Sequence, residues 1–249
     1  MSGHSKWATI KHKKGAADQA RAKVFAKLLR VVEVAAREGG GDVTMNASLR
    51  SAVAKARESS VPADNIDRAI KRATGALDGV HYEPVMYEGY APGGVAMLVD
   101  ALTDNRNRTG SDIRSIFSKA GGAMAEPGAV SWQFERKGVI LVSGAVTEDD
   151  LMTVALEAGA EDIAQQGDTW QVTCAPSDLP TVCAALEEAG INVDSAESTM
   201  LAQNNVPVTE ENVVKQVLRL LDALEDNDDV QNVYANFDIP DDLFEAAGV

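Results

Sequence analysis

At 249 residues, with 45% hydrophobic and 24% charged residues, the chain has the composition of a folded globular protein rather than a disordered or collagen-like one. Its length has room for two or three compact units. No apolar run approaches the roughly 20 residues that cross a bilayer, and no apolar signal segment follows the basic N-terminus, so a cytoplasmic location is expected. The overall charge of -15 is unevenly distributed. Residues 1–76 hold 15 Lys and Arg against 7 Asp and Glu, a net of +8, whereas the other 173 residues hold 8 against 31, a net of -23. A polyanion-binding end joined to an acidic body has this asymmetry.

In chain order, residues 1–14 carry four lysines and two histidines with little apolar periodicity, and read as a mobile arm. Val24, Leu28, Val31, Val32 and Ala35 then mark one face of a long helix that should stop at Gly39-Gly40-Gly41. Leu49, Val53 and Ala56 mark a second helix. Pro62 is suited to open a third, with Ile66, Ile70, Ala73 and Leu77 as its apolar face. Together these predict a small three-helix bundle.

From about residue 80 the period becomes strand-like. Segments 82–90 and 93–102 predict a hairpin about the turn-forming Ala91-Pro92-Gly93-Gly94. Thr109 with Asp112 resembles a capping box opening a helix to Gly121-Gly122, and a strand is expected at 129–135. Residues 138–205 read as strand, helix, strand, strand, helix, strand, the order of a ferredoxin-like split βαβ unit. Its helices are expected to begin at Thr147 and Ser177. A helix at 209–224 and a strand at 230–237 follow.

The segment 82–135 lacks a second helix and strand, and residues 206–240 can supply them. The expected fold class is therefore α+β, an N-terminal three-helix bundle followed by two α/β (ferredoxin-like) domains, one inserted in the other. The expected domains are a basic arm and helical domain at 1–79, a discontinuous α/β domain at 80–137 plus 206–249, and an inserted one at 138–205.

The basic end is the strongest chemical signal, because Lys and Arg on a flexible arm can neutralise phosphates and release condensed counterions. The candidate contacts are Lys6, Lys11, His12, Lys13, Lys14, Arg21 and Lys23. A solvated tail is the plainer alternative, but it leaves the segregation of charge unexplained. Trp7 is a candidate for stacking on an unpaired base or for packing onto the bundle. Arg68, Lys71 and Arg72, on one exposed face of the third helix, form a candidate secondary patch. Arg106 and Arg108 join it, at a strand-to-helix junction where phosphate could sit or where the arginines could instead pair with nearby acids.

Catalytic motifs are missing from the sequence. The three histidines have no metal-ligand spacing, the glycine runs lack the Lys-Ser/Thr of a P-loop, and no GxSxG elbow occurs. No catalytic residue, metal or cofactor is expected. Cys174 and Cys183 read as buried thiols. The acidic run Glu225-Asp226 with Asp228-Asp229 reads as a solvated loop.

GHSKWATIKHKK at 3–14, YEGYAPGGVAML at 87–98 and LTDNRNRT at 102–109 resemble the YebC/PmpR family over nearly the whole chain. The mitochondrial translational activators of a cytochrome oxidase subunit are similar to it. Segment 121–130, GGAMAEPGAV, departs from the GGNLG form found in many members. The resemblance implies the same three-part architecture, no known catalysis and a role in gene expression. It implies either a transcriptional regulator that binds DNA or a ribosome-associated translation factor that binds RNA and acts at proline-rich stretches. A protein-interaction adaptor, with the acidic α/β domains binding a protein partner, is the alternative of another class. No membrane or small-molecule partner is expected.

Overall fold

The computed structural model describes residues 18–75, 82–143, 146–166 and 169–246. Helix α1 (Asp18–Gly39) leads, followed by α2 (Ala47–Glu58) and α3 (Ala63–Thr74). The glycine stop falls where the sequence places it, with Gly40 at φ +85 in the left-handed conformation that ends helices. Asn46 caps α2, accepting the Leu49 N–H and donating to the carbonyls of Ala35 and Gly40, so one buried side chain ties the turn to both helices. Val32, Ala36, Leu49, Val53, Ile66 and Ala69 bury the apolar stripes against one another. Leu77, expected on the third apolar face, lies outside the described residues.

Strands β1 (Glu83–Tyr90) and β2 (Ala96–Thr103) form the expected antiparallel hairpin about a short 3-10 turn at Pro92–Gly94. Helix α4 (Arg106–Lys119) and strand β3 (Ala123–Ala125) follow. The long strand β4 (Phe134–Ser143) then leads through α5 (Glu148–Glu157), β5 (Ala160–Gln166), β6 (Thr169–Cys174) and α6 (Leu179–Glu188) to β7 (Val193–Ala202). The last elements are β8 (Val206–Pro207), α7 (Glu211–Glu225), β9 (Val230–Ala235), β10 (Phe237–Asp238) and α8 (Asp241–Ala246).

One four-stranded sheet has the order β3-β1-β2-β9, so a strand from near residue 230 completes a sheet begun at residue 83. Its core joins Met97, Val99, Ile113 and Phe117 to the apolar face of α7. The other four-stranded sheet, β5-β6-β4-β7, is antiparallel throughout and has the strand order of a split βαβ unit. Ile140, Leu151, Val172, Val182 and Leu186 are at its centre. The fold is thus α+β, a helical segment followed by antiparallel-sheet α/β units. Cys174 is buried and Cys183 half-buried in the second of these, and burial pushes both thiols up from their ordinary range.

Three local expectations are corrected. Of the strand expected at 129–135, residues 129–133 are instead a loop and a 3-10 turn and only 134–135 are extended, as the start of β4, and the third strand is the short Ala123–Ala125. The buried carboxylate of Glu88 accepts the N–H groups of Gly128, Val130 and Ser131 and so bends this segment out of extended form. Helix α4 starts three residues before Thr109, because Asn105 accepts the Arg108 N–H as its N-cap. Thr109 is buried inside the helix and bonds elsewhere. Helix α6 starts at Leu179 rather than at Ser177, whose hydroxyl bonds the Asp178 carboxylate instead of capping the helix.

Candidate nucleic-acid interface

Seven of the sequence-derived candidates have side chains outside the described residues: Lys6, Trp7, Lys11, His12, Lys13, Lys14 and Arg21. The rest fall in separate places. On α3, Arg68 bonds the carbonyl of Asp64 and the side chain of Asn65, Lys71 is exposed, and Arg72 reaches back to Glu33 of α1 at 3.1 Å. Arg106 lies 3.7 Å from Glu83. Lys23 and Arg108 meet acids at a junction that the sequence reading did not anticipate.

That junction is built from a row on α1. Lys23, Lys27 and Arg30 stand at i, i+4 and i+7, hence on one helical face. The row lies against the C-terminal end of α7 and the loop after it. Lys23 pairs with Asp226 at 2.7 Å, and Lys27 donates to the Glu225 carbonyl at 2.6 Å. Arg30 donates to the carbonyls of Leu102 and Asp228 and to the Asp229 carboxylate at 2.9 Å, with Tyr82 beneath its guanidinium. The end of a helix carries unsatisfied carbonyls and partial negative charge, so cations are favoured there. The acidic run read as a solvated loop is therefore the partner of a basic helix. Its partners are about 200 residues away, which local spacing could not reveal.

Asp229 is the centre of the junction and is 7% exposed. Besides Arg30 it receives Arg108 at 2.8 Å and the Thr109 hydroxyl at 2.6 Å. The Thr103 hydroxyl lies 2.7 Å from that of Thr109, and Arg108 also holds Asp104 at 2.8 Å. Burial works to raise the Asp229 carboxyl, but the bonds from Thr109, Arg108 and Arg30 outweigh it and hold the group below the ordinary carboxylate range. The same pairing raises the Arg108 guanidinium further. A polar cavity of about 350 Å³ opens here, lined among others by Arg30, Tyr82, Arg108, Asp112 and Asp229. It offers both signs of charge rather than a bare cationic cradle.

Two further residues were missed. Glu88 pins the loop before β4, and Trp132 on that loop is 66% exposed. The Trp132 indole N–H and the Tyr90 hydroxyl both donate to the Ala129 carbonyl, leaving the indole fixed and outward. A glutamate inside an alternating strand was the one available signal. Among the described residues, no group of three or more His, Cys, Asp or Glu is placed to hold a metal, and no helix is long and apolar enough to cross a membrane.

The fold and junction define a class in which a basic helical segment is salt-bridged through α1 to acidic antiparallel-sheet α/β units. The chain belongs to the TACO1/YebC family: residues 5–76 match the model of the family's N-terminal domain, and residues 82–237 match that of its second and third domains. A protein of Rubrobacter xylanophilus is 57% identical over 251 residues, covering 100% of both chains. One of Desulforapulum autotrophicum is 52% identical over 247 residues, covering 99% of this chain and 100% of the relative. Both are named probable transcriptional regulatory proteins. The crystal structure of a conserved hypothetical protein of Aquifex aeolicus has a TM-score of 0.82 and 45% identity, covering 95% of this chain and 98% of its own.

Proposed function

We propose that this protein is a non-enzymatic, cytoplasmic regulator of gene expression that binds nucleic acid through its basic N-terminal end. The observation that carries this reading is the segregation of charge, +8 over residues 1–76 against -23 over the rest. Phosphate contacts gain affinity by releasing counterions, which needs clustered cations rather than net charge. Lys6, Lys11, His12, Lys13, Lys14, Arg21 and Lys23 are the proposed primary contacts, Trp7 the stacking residue, and Arg68 and Lys71 with Arg72 the secondary patch. Arg106 and Arg108 take a lesser part, since both already face carboxylates. The domain division at 1–79, 80–137 plus 206–249, and 138–205 belongs to the same reading.

The names of the relatives favour transcriptional regulation, for which DNA is the proposed target. A second reading, a ribosome-associated factor binding RNA, is favoured by the acidic body, which would be repelled by a duplex wrapped over it but not by a site that admits only the basic end. Ultraviolet crosslinking in cells, followed by sequencing of the attached nucleic acid, tests both. Crosslinks at promoter DNA are expected for the first reading and crosslinks in ribosomal RNA for the second. Absence of both would replace them with a protein-interaction adaptor.

A further inference from the structure

The row on α1 is graded from one end to the other. At its inner end the side chains of Arg30 and Asp229 are 19% and 9% exposed, and Asp229 also holds Arg108 and Thr109. At its outer end those of Lys23 and Asp226 are 44% and 74% exposed, and the pair stands in water. Asp226 by hydrogen bond, and both Asp226 and Asp228 by their charge, hold the Lys23 ammonium above its usual range. Lys23 and Lys27 are about 6 Å apart along the helix axis, close to the rise of two nucleotides in one duplex strand at about 3.4 Å each. Lys23 also follows the Lys11-to-Lys14 cluster by only nine residues.

We propose that Lys23 and Lys27 form a phosphate-binding surface which the acidic loop at 225–228 covers, and that a nucleic-acid backbone displaces this loop while Arg30 and Asp229 stay joined as the pivot. The inference rests on the nucleic-acid reading above. The loop presents carboxylate and carbonyl oxygens where phosphate oxygens would otherwise sit, so it acts as an intramolecular competitor. An exposed pair of this kind is weak enough for a polyanion to replace. The buried pair beneath it is not, because opening it would strand charges.

The test uses the full chain and mixed-sequence RNA and DNA 20-mers at low salt. Asp226→Asn with Asp228→Asn is expected to tighten binding about two- to fivefold, the range an exposed ion pair allows. Asp149→Asn with Asp162→Asn makes the same change of charge on exposed positions away from the loop and is expected to leave affinity unchanged. Lys23→Gln should weaken binding more in the Asp226/Asp228 variant than in the wild type, because only there is Lys23 uncovered. Equal gains from the two double variants, or no gain from either, would overturn the covering role while leaving nucleic-acid binding intact. No binding by any form would overturn the underlying reading and this inference with it.

Discussion

Arg30 and Asp229 are 199 residues apart in the chain and 2.9 Å apart in space, and through them the helical segment is fastened to the sheet that β9 completes. Removing the carboxylate takes from Arg30 its buried acidic partner and from Arg108 one of its two. Asp229→Ala is expected to destabilise the protein by about 3 kcal/mol, the scale for breaking a buried pair from one side. Urea denaturation measures it. Combined with Arg30→Ala, the loss should be less than additive, because each single change already removes the shared bond.

Glu88 gives a pH-dependent prediction. Burial works to raise its carboxyl, but the backbone N–H groups of Gly128, Val130 and Ser131 outweigh burial and lower it. A group depressed in the folded state contributes stability above its unfolded value of about 4.3, and loses it as pH falls through the lower folded value. Denaturation midpoints of the wild type should therefore fall on acidification below about pH 4.3. The slope should be shallower in Glu88→Gln, which is less stable at pH 7 by about 2 kcal/mol because an amide cannot accept all three donors. Unchanged acid sensitivity in that variant would remove Glu88 from the role.

Residues whose partners are local were legible in the sequence. The stripes Leu49/Val53/Ala56 and Ile66/Ile70/Ala73, the Gly39-Gly40 stop and the α7 face all report helical periodicity, and they pack where that periodicity directs them. The split βαβ order of β4 to β7 was legible for the same reason. Strand β3 was not, because Ala-Met-Ala is too short to alternate. Val130 to Phe134 does alternate, yet Glu88, about 40 residues upstream, turns all but Phe134 of it into a loop. The candidate junction hid in the same way. Lys23, Lys27 and Arg30 show a basic row and residues 225–229 an acidic run, but nothing in either indicates the other.

Gly89 offers a packing test. A Cβ there would stand 2.7 Å from the Phe117 ring and 2.8 Å from the Ala123 carbonyl oxygen, so β1, α4 and β3 meet only because the side chain is absent. Gly89→Ala should cost about 1–3 kcal/mol by overpacking. Gly94→Ala, where nothing lies within 4 Å, meets backbone strain at φ +78 but no collision. Thermal melts of the two variants should therefore rank Gly89→Ala as the less stable, and the reverse order would contradict the packing described.

The arm and the junction should separate when affinity and stability are measured on the same variants. Lys11, Lys13 and Lys14 changed together to Gln should leave the melting temperature unchanged. The same change should make the slope of log affinity against log salt shallower by about 2 to 3, since each phosphate contact contributes about 0.7 to 0.9. Arg108→Ala should behave in the opposite way. Its guanidinium spans Asp104 and Asp229, so its loss lowers stability while the salt slope stays within a fraction of one contact. Phosphate contacts carry no base information, so the arm variant should weaken binding to unrelated sequences equally. A loss confined to one sequence would assign the arm to base recognition instead. A salt slope that moves with Arg108 but not with the three lysines would place the phosphate contacts at the start of α4.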